Sequence, residues 1–442
     1  MLFFPRYFKS ISFFTVVLSL LFSISAAAQN SQPLIILTSF SEDVSATFAN
    51  AFEQQFPDTR IRFIHKKTPA ALTHLDKQMK PRPDLVMASA VDAFDWLSKQ
   101  QQLKKLDASD RLDYTPFGYS GYGFIWHRDY LTKQGLTAPA SWDDLLKPEY
   151  RQHIAMSSPT RSGTTHVMVE TVLQERGWRE GWAYLTELAG NLATITARSF
   201  GVRQGVVKQR FGVGLVIDFF AFSAQPDNQA IGFSYPSPTT YLPVSIGIVK
   251  GGEQPQLARD FIRFMISDPG QGLLLETNIS RYPINRELLQ QNPDHPLSHY
   301  QNQLGYTLSY DHTLAVRRYH LVNTLFDYAI TYRLHFLQEA WQLYYQLAAE
   351  PEVLASNERQ LRLEQLRLEL TSVPFAEIDL GDSALLASFT RAIPGSQLAP
   401  QQQELQQQWK RWDEQQQANV MRGLTQLALE LKQAEAKDVP AD

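Results

Sequence analysis

Short β-branched runs alternate with amphipathic helical stretches from Leu34 to about Tyr282. Alternation of that kind predicts an α/β fold with largely parallel strands. Leu34–Thr38 reads as the first strand. Val44, Phe48 and Phe52 then recur at helical spacing until Phe56 and Pro57 stop the helix, and Ile61–Ile64 starts the next strand. Asp84–Ala88, His153–Ser157, Ala193–Thr196 and Gly212–Ile217 are further strand candidates, and no internal repeat is evident.

Beyond Pro296 the pattern changes. Tyr319, Val322, Phe326, Ile330, Leu334, Leu337, Trp341 and Tyr345 form a helical stripe that ends at Glu350 and Pro351. A second stripe runs through Leu405, Trp409, Trp412, Val420, Leu424, Leu427 and Leu431. Residues 297–442 are therefore expected to form a separate helical region. Its glutamine-rich stretch, Gln401–Gln408, reads as packed helix rather than low-complexity chain, because tryptophans follow it at helical spacing. The region lacks strand-to-helix turns and is expected to serve a protein partner rather than a ligand, the alternative being that its helices only brace a lobe.

The first residues carry a different signal. Arg6 and Lys9 precede the apolar run Ile11–Ile24, and Ala26, Ala27 and Ala28 follow it. This reads as a secretory signal cleaved near Ala28, since a spanning helix needs about 20 apolar residues and this core is shorter. The chain has no cysteine, so the fold rests on its core without disulfides, and a thioether-lipid anchor is excluded. A freely diffusing periplasmic protein is the expectation. The formal net charge of -4 argues against nucleic acid as a partner, because counterion release needs a concentrated basic surface. Any anion site must be local.

Four times a predicted strand runs into a hydroxyl-bearing turn and then a helix. The turns are Thr38-Ser39-Phe40-Ser41, Ala88-Ser89-Ala90, Ser157 to Thr165, and Arg198-Ser199-Phe200-Gly201. Ligands of parallel sheets sit at the carboxyl ends of strands, where helix N-termini present unpaired amides that suit phosphate or carboxylate. A helix cap needs one hydroxyl, worth about 1 kcal/mol. The third turn offers Ser162, Thr164 and Thr165 around Gly163, which permits close backbone approach. Arg161 and Arg198 flank two of the turns and could add charge-assisted bonds, or face solvent. Asp218 ends an apolar strand, so its carboxylate faces either a ligand hydroxyl or amine in a cleft or a neighbouring backbone amide. Tyr122, with Tyr119 and Trp126, belongs either to the core or to an aromatic wall of the site. The candidate ligand-binding residues are thus Ser39, Phe40, Ser89, Tyr122, Arg161, Ser162, Gly163, Thr164, Thr165, Arg198, Ser199 and Asp218.

Enzyme motifs are missing: there is no HExxH and no P-loop, and Gly118-Tyr119-Ser120-Gly121-Tyr122 lacks the closing glycine of GxSxG. A binding protein is expected, without cofactor, and an envelope phosphate-ester hydrolase is the remote alternative. His295 and His299 have metal-like spacing, but Pro296 between them speaks against a helical ligand pair.

These turns, together with Ser141-Trp142-Asp143-Asp144-Leu145-Leu146 and Phe261–Gly272 (FIRFMISDPGQG), resemble the extracellular solute-binding proteins of ATP-driven (ABC) importers, a family of ferric-iron, phosphonate and sugar-phosphate binders. The likeness covers about residues 34–290. It implies a two-lobed Venus-flytrap fold of type II, with about residues 33–115 and 236–295 in one lobe and 116–235 in the other. Closure would bring Ser39 and Ser89 against Ser162 to Thr165 and Ser199. The segments SSPTRSGTTHVMVETVLQERGW and NLATITARSFGV, with the added helices, most resemble family members that regulate phosphoglycerate uptake. That resemblance implies a receptor for phosphoglycerate or a related organophosphate that signals to a membrane sensor kinase. The alternative is an ordinary importer subunit delivering a phosphonate or sugar phosphate to an ABC permease. One departure stands out. Iron binders of the family use two adjacent tyrosines shortly after the strand that here ends at Asp218, and this chain has Phe219-Phe220, which cannot ligate a metal.

Overall fold

The computed structural model describes residues 32–89, 91–237, 239–300, 310–389 and 398–438. The expected signal segment lies outside them. Its strands are β1 (Leu34–Thr38), β2 (Ile61–His65), β3 (Leu85–Ala88), β4 (Leu103–Lys104), β5 (Thr115–His127), β6 (Ile154–Ser157), β7 (Leu192–Thr196), β8 (Val213–Ile217), β9 (Ile231–Ser234), β10 (Tyr241–Val249) and β11 (Tyr282–Pro283). They run in the order β2-β1-β3-β10-β5-β8-β6-β7, with β11 and β9 also on β5 and β4 on β10.

The expectation of largely parallel strands holds only on the flanks. β1 pairs in parallel with β2 and β3, and β6 with β7 and β8. At the centre, β5 and β10 are antiparallel to each other and to the strands beside them. The long strand β5 joins the two lobes. Its residues up to Gly121 pair with β10, and from Tyr122 onward they pair with β8 and β9. One strand thereby belongs to both halves of the sheet, so the halves are tied by backbone hydrogen bonds rather than by a loose linker.

Each half has its own core. In the first, the helix Glu42–Gln55 buries Val44, Phe48 and Phe52 against β1 and the helix Pro255–Ile266, where Phe52 meets Phe261 edge-on at 5.0 Å. In the second, the helices Gly163–Arg176 and Trp178–Asn191 cover β6 and β8 through Val169, Val172, Trp182 and Leu188.

The helices beyond Pro296 form, as the stripes predict, but they do not stand apart. The first stripe becomes the helices His312–Phe326 and Leu334–Ala348, joined through a π-helical turn at Asp327–Thr331. Gln401–Gln408 lies in the 39-residue helix Pro400–Asp438. Leu325, Phe326, Trp341, Trp409 and Val420 belong to the same buried cluster as Met156, Val167 and Leu188 of the second half. The physical reason is that apolar positions of these stripes, Trp341 against Gly190 among them, are covered by the second half. Gly190 marks how closely the two parts approach: a Cβ there would lie 2.6 Å from the Cβ of Trp341. No described helix is long and apolar enough to cross a membrane.

Candidate ligand-binding cleft

The carboxyl ends of β1, β2, β3, β6, β7 and β8 face one cleft of about 350 Å³ between the halves of the sheet. That size suits a small organic ligand. β1 delivers Ser39, Phe40 and Ser41 to it, β2 delivers Lys67 and Thr68, and β3 delivers Ser89. From the opposite side come Arg161, Ser162, Gly163 and Thr164 after β6, Arg198, Ser199 and Phe200 after β7, and Phe219 and Phe220 after β8. Several helices begin at this cleft, among them Glu42–Gln55, Gly163–Arg176 and Ser199–Val207, and their N-terminal amides favour anions.

The electrostatics agree with the helix ends. Lys67, Arg161, Arg198 and Arg281 line the cleft, and none of the described lining residues is a carboxylate. A protein of net charge -4 thus concentrates positive charge at one place.

The third turn is built as a cradle. Ser162 caps its helix by accepting from the Thr165 amide at 3.2 Å, and its Oγ lies 2.6 Å from the Ser199 Oγ, which couples two turns into one hydroxyl cluster. Behind the cluster, the Ser158 hydroxyl donates to Asp327 Oδ1 at 3.0 Å and the Thr160 hydroxyl to Asp327 Oδ2 at 2.7 Å. The C-terminal helices therefore hold the back of the turn whose front faces the cleft.

Of the sequence candidates, Ser39, Phe40, Ser89, Arg161, Ser162, Gly163, Thr164, Arg198 and Ser199 line the cleft. Three do not. Thr165 is 1 % exposed and its hydroxyl is bonded to Ser157. Tyr122 is buried in the core of the second half. Asp218 is wholly buried and accepts from the amides of Gly121 (2.5 Å) and Phe219 (2.7 Å) and from the Tyr235 hydroxyl (2.8 Å). Burial pushes its carboxyl up to about 7 despite those bonds. Of the two roles open to Asp218 from sequence, the geometry matches the backbone-amide one.

Sequence reasoning missed Lys67, Phe200, Phe219, Phe220 and Arg281. Phe219 and Phe220 were read only as lost metal ligands, yet they supply an apolar wall. Lys67 precedes the helix Thr68–Asp76 and could have been found as a fifth strand-to-helix turn. Arg281 carried no such signal, since it arrives from the turn before β11. His295 caps the short helix Pro296–His299, with Nδ1 accepting from the Leu297 amide and Nε2 at 2.8 Å from the Leu275 carbonyl oxygen.

The family described as bacterial extracellular solute-binding protein matches residues 87–303. The phosphoglycerate transport regulatory protein PgtC of Salmonella typhimurium is 31% identical over 373 residues, which is 81% of this chain and 90% of that protein. The chain belongs to the bacterial extracellular solute-binding proteins. This solute-binding protein also has the fold of solved relatives. The periplasmic binding protein AfuA of Actinobacillus pleuropneumoniae, with fructose-6-phosphate bound, superimposes with a TM-score of 0.60 at 19% identity over 67% of this chain and 98% of that one. The apo ferric ion-binding protein A of Pasteurella haemolytica does so with a TM-score of 0.56 at 14% identity, over 67% and 97%. At such identities the likeness concerns architecture: two lobes with a cleft between them.

Proposed function

We propose that this solute-binding protein is a periplasmic receptor for a small organophosphate of the phosphoglycerate type. The observation that carries the reading is the cleft itself, with four cationic side chains, paired hydroxyls and converging helix N-termini, and no carboxylate among its described lining residues. We read about residues 33–115 with 236–295 as one lobe and 116–235 as the other. Phosphate oxygens would accept from the Ser162 and Ser199 hydroxyls and from amides of the third turn, while Arg161 and Arg198 neutralise charge at the rim. Ser39 and Ser89 reach the ligand from the facing lobe, so the closed state makes contacts that the open state lacks, and ligand shifts the population toward closure. A membrane sensor kinase or importer permease would read that closure. The similarity to PgtC supports the phosphoglycerate-related role.

Calorimetry on the purified protein with 3-phosphoglycerate, phosphoenolpyruvate, fructose 6-phosphate and ferric citrate tests the reading. Saturable binding of a phosphate ester, recovered chemically intact by phosphorus NMR, is the expected result. Binding of ferric citrate alone would overturn it, and turnover of the ester would make the protein a hydrolase.

A further inference from the structure

Arg281 differs from the other cations of the cleft. It comes from the turn before β11, where Ser280 holds a φ of 47°, a left-handed conformation that non-glycine residues rarely keep without cause. Its guanidinium carbon lies 4.3 Å from the ring centre of Phe40 and 4.0 Å from that of Phe219. Phe40 follows β1 and Phe219 follows β8, so the cation is flanked by one ring from each half of the sheet. Arg161 and Arg198 are exposed at the rim, whereas Arg281 is 1 % exposed.

Buried cations are ordinarily matched by an anion. Nη1 of Arg281 donates to the Ile279 carbonyl at 3.2 Å, and Nε is buried without a hydrogen-bond partner among the described residues. Asp218 is the carboxylate whose field reaches it, but that group spends its oxygens on Gly121, Phe219 and Tyr235. Burial draws the Arg281 guanidinium down to about 10, which leaves it charged at neutral pH. With rings against it, the cation has only its in-plane N–H edge to offer. A planar carboxylate fits such an edge. A phosphate can also pair with a guanidinium, but here the diverging hydroxyls and amides of the Ser162 and Ser199 turns already offer it a site, which leaves the Arg281 edge for a second anionic group.

Resting on the organophosphate reading above, we propose that Arg281 is a specificity-determining residue that receives a carboxylate of the ligand while the Ser162–Ser199 cluster receives its phosphate. Arg281 would thereby be the residue that makes the site prefer a phosphorylated carboxylic acid to a phosphorylated polyol or sugar.

The test compares 3-phosphoglycerate with glycerol 3-phosphate, which has the phosphate and the three-carbon chain without the carboxylate. Calorimetry on the full-length wild-type protein should give an affinity for 3-phosphoglycerate at least about tenfold higher, as expected where a site's buried donor is left unpaired by the lesser ligand. Arg281→Gln should cost 3-phosphoglycerate about tenfold more than it costs glycerol 3-phosphate, and Arg281→Lys should restore part of the difference. Equal wild-type affinities, or equal losses for both ligands in the variant, would overturn the assignment. If Arg281→Gln fails to fold, as seen by circular dichroism, Arg281→Lys decides, since it keeps the charge but loses the planar fork: a preference for 3-phosphoglycerate as large as in the wild type would overturn the assignment. A wild-type protein that binds neither ester refutes the organophosphate reading itself; one that binds both equally refutes only the role of Arg281.

Discussion

Arg318 donates to Glu170 through Nε at 3.0 Å and Nη2 at 2.8 Å, and neither side chain is more than 4% exposed. Glu170 lies on the helix Gly163–Arg176, whose first turn faces the cleft, and Arg318 on the helix His312–Phe326 beyond it. One turn nearer the cleft, His166 Nδ1 lies 2.8 Å from Asn323 Oδ1. Nearest the ligand turn, Asp327 accepts from Ser158 and Thr160. The C-terminal helices thus grip the ligand-facing helix along its length. Bracing the cleft is a physical role that the geometry makes visible for these helices.

Removing one member of the buried pair leaves the other charge without compensation. Glu170→Gln should therefore destabilise the protein by about 3–5 kcal/mol, read from the urea midpoint, and Glu170→Leu combined with Arg318→Met should recover most of that loss. By the same reasoning, a chain ending near Gln301 should lose cooperative near-ultraviolet dichroism, because it leaves the second core without Leu325, Phe326 and Trp341. A truncated chain that folds and binds ligand as tightly as the full one would show that the bracing is dispensable.

Ser162 has two duties, as helix cap and as half of the hydroxyl pair with Ser199. Ser162→Ala combined with Thr164→Val should lower organophosphate affinity at least tenfold, about 1.4 kcal/mol, and cost about 1 kcal/mol of stability through the lost cap. Calorimetry and thermal unfolding separate the two effects. Unchanged affinity with lowered stability would mean that the turn is only a cap.

Asp218 makes stability depend on pH in an unusual direction for a carboxylate. In the unfolded chain it loses its proton near pH 4, as aspartate ordinarily does, whereas in the folded protein burial delays this to about 7. Between those values the folded state holds the extra proton. Its contribution to stability is therefore fully present below about pH 4, falls as the pH rises toward 7 and is flat above. Urea unfolding of wild type and Asp218→Asn across that range should show a steeper decline in the wild type, since half-buried Glu175 and Glu187, whose carboxyls burial also raises, contribute a decline to both. Parallel curves would mean that Asp218 is ionised in the fold at acid pH.

Local pattern was enough for much of this. Leu34–Thr38 and Gly212–Ile217 read as strands because apolar, β-branched runs bury both faces, and the helix over Val44, Phe48 and Phe52 because its stripe matches the helical period. The hydroxyl turns were legible for the same reason, since a strand, a turn and a helix start are contiguous in sequence. The central strand β5 was not. Gly118, Gly121 and Gly123 remove the branched side chains that mark a strand, and their reason is tertiary: a Cβ on Gly123 would lie 2.2 Å from the Ser234 carbonyl oxygen, and one on Gly121 would lie 2.6 Å from the rings of Tyr235 and Tyr241.

The sequence by itself determined the class of the fold, the elements that end at the cleft and most of the hydroxyls and arginines at its rim. Only the tertiary structure decided that Arg281 sits between Phe40 and Phe219, that Asp218 turns away from the cleft to hold Gly121, and that Arg318 reaches Glu170. Each of these depends on chain segments far apart in sequence, such as Glu170 and Arg318, which are 148 positions apart. Periodicity and turn chemistry report only the free energy of neighbouring residues. The placement of a buried charge is set by which distant groups fold against it, where a low dielectric makes its partner matter most.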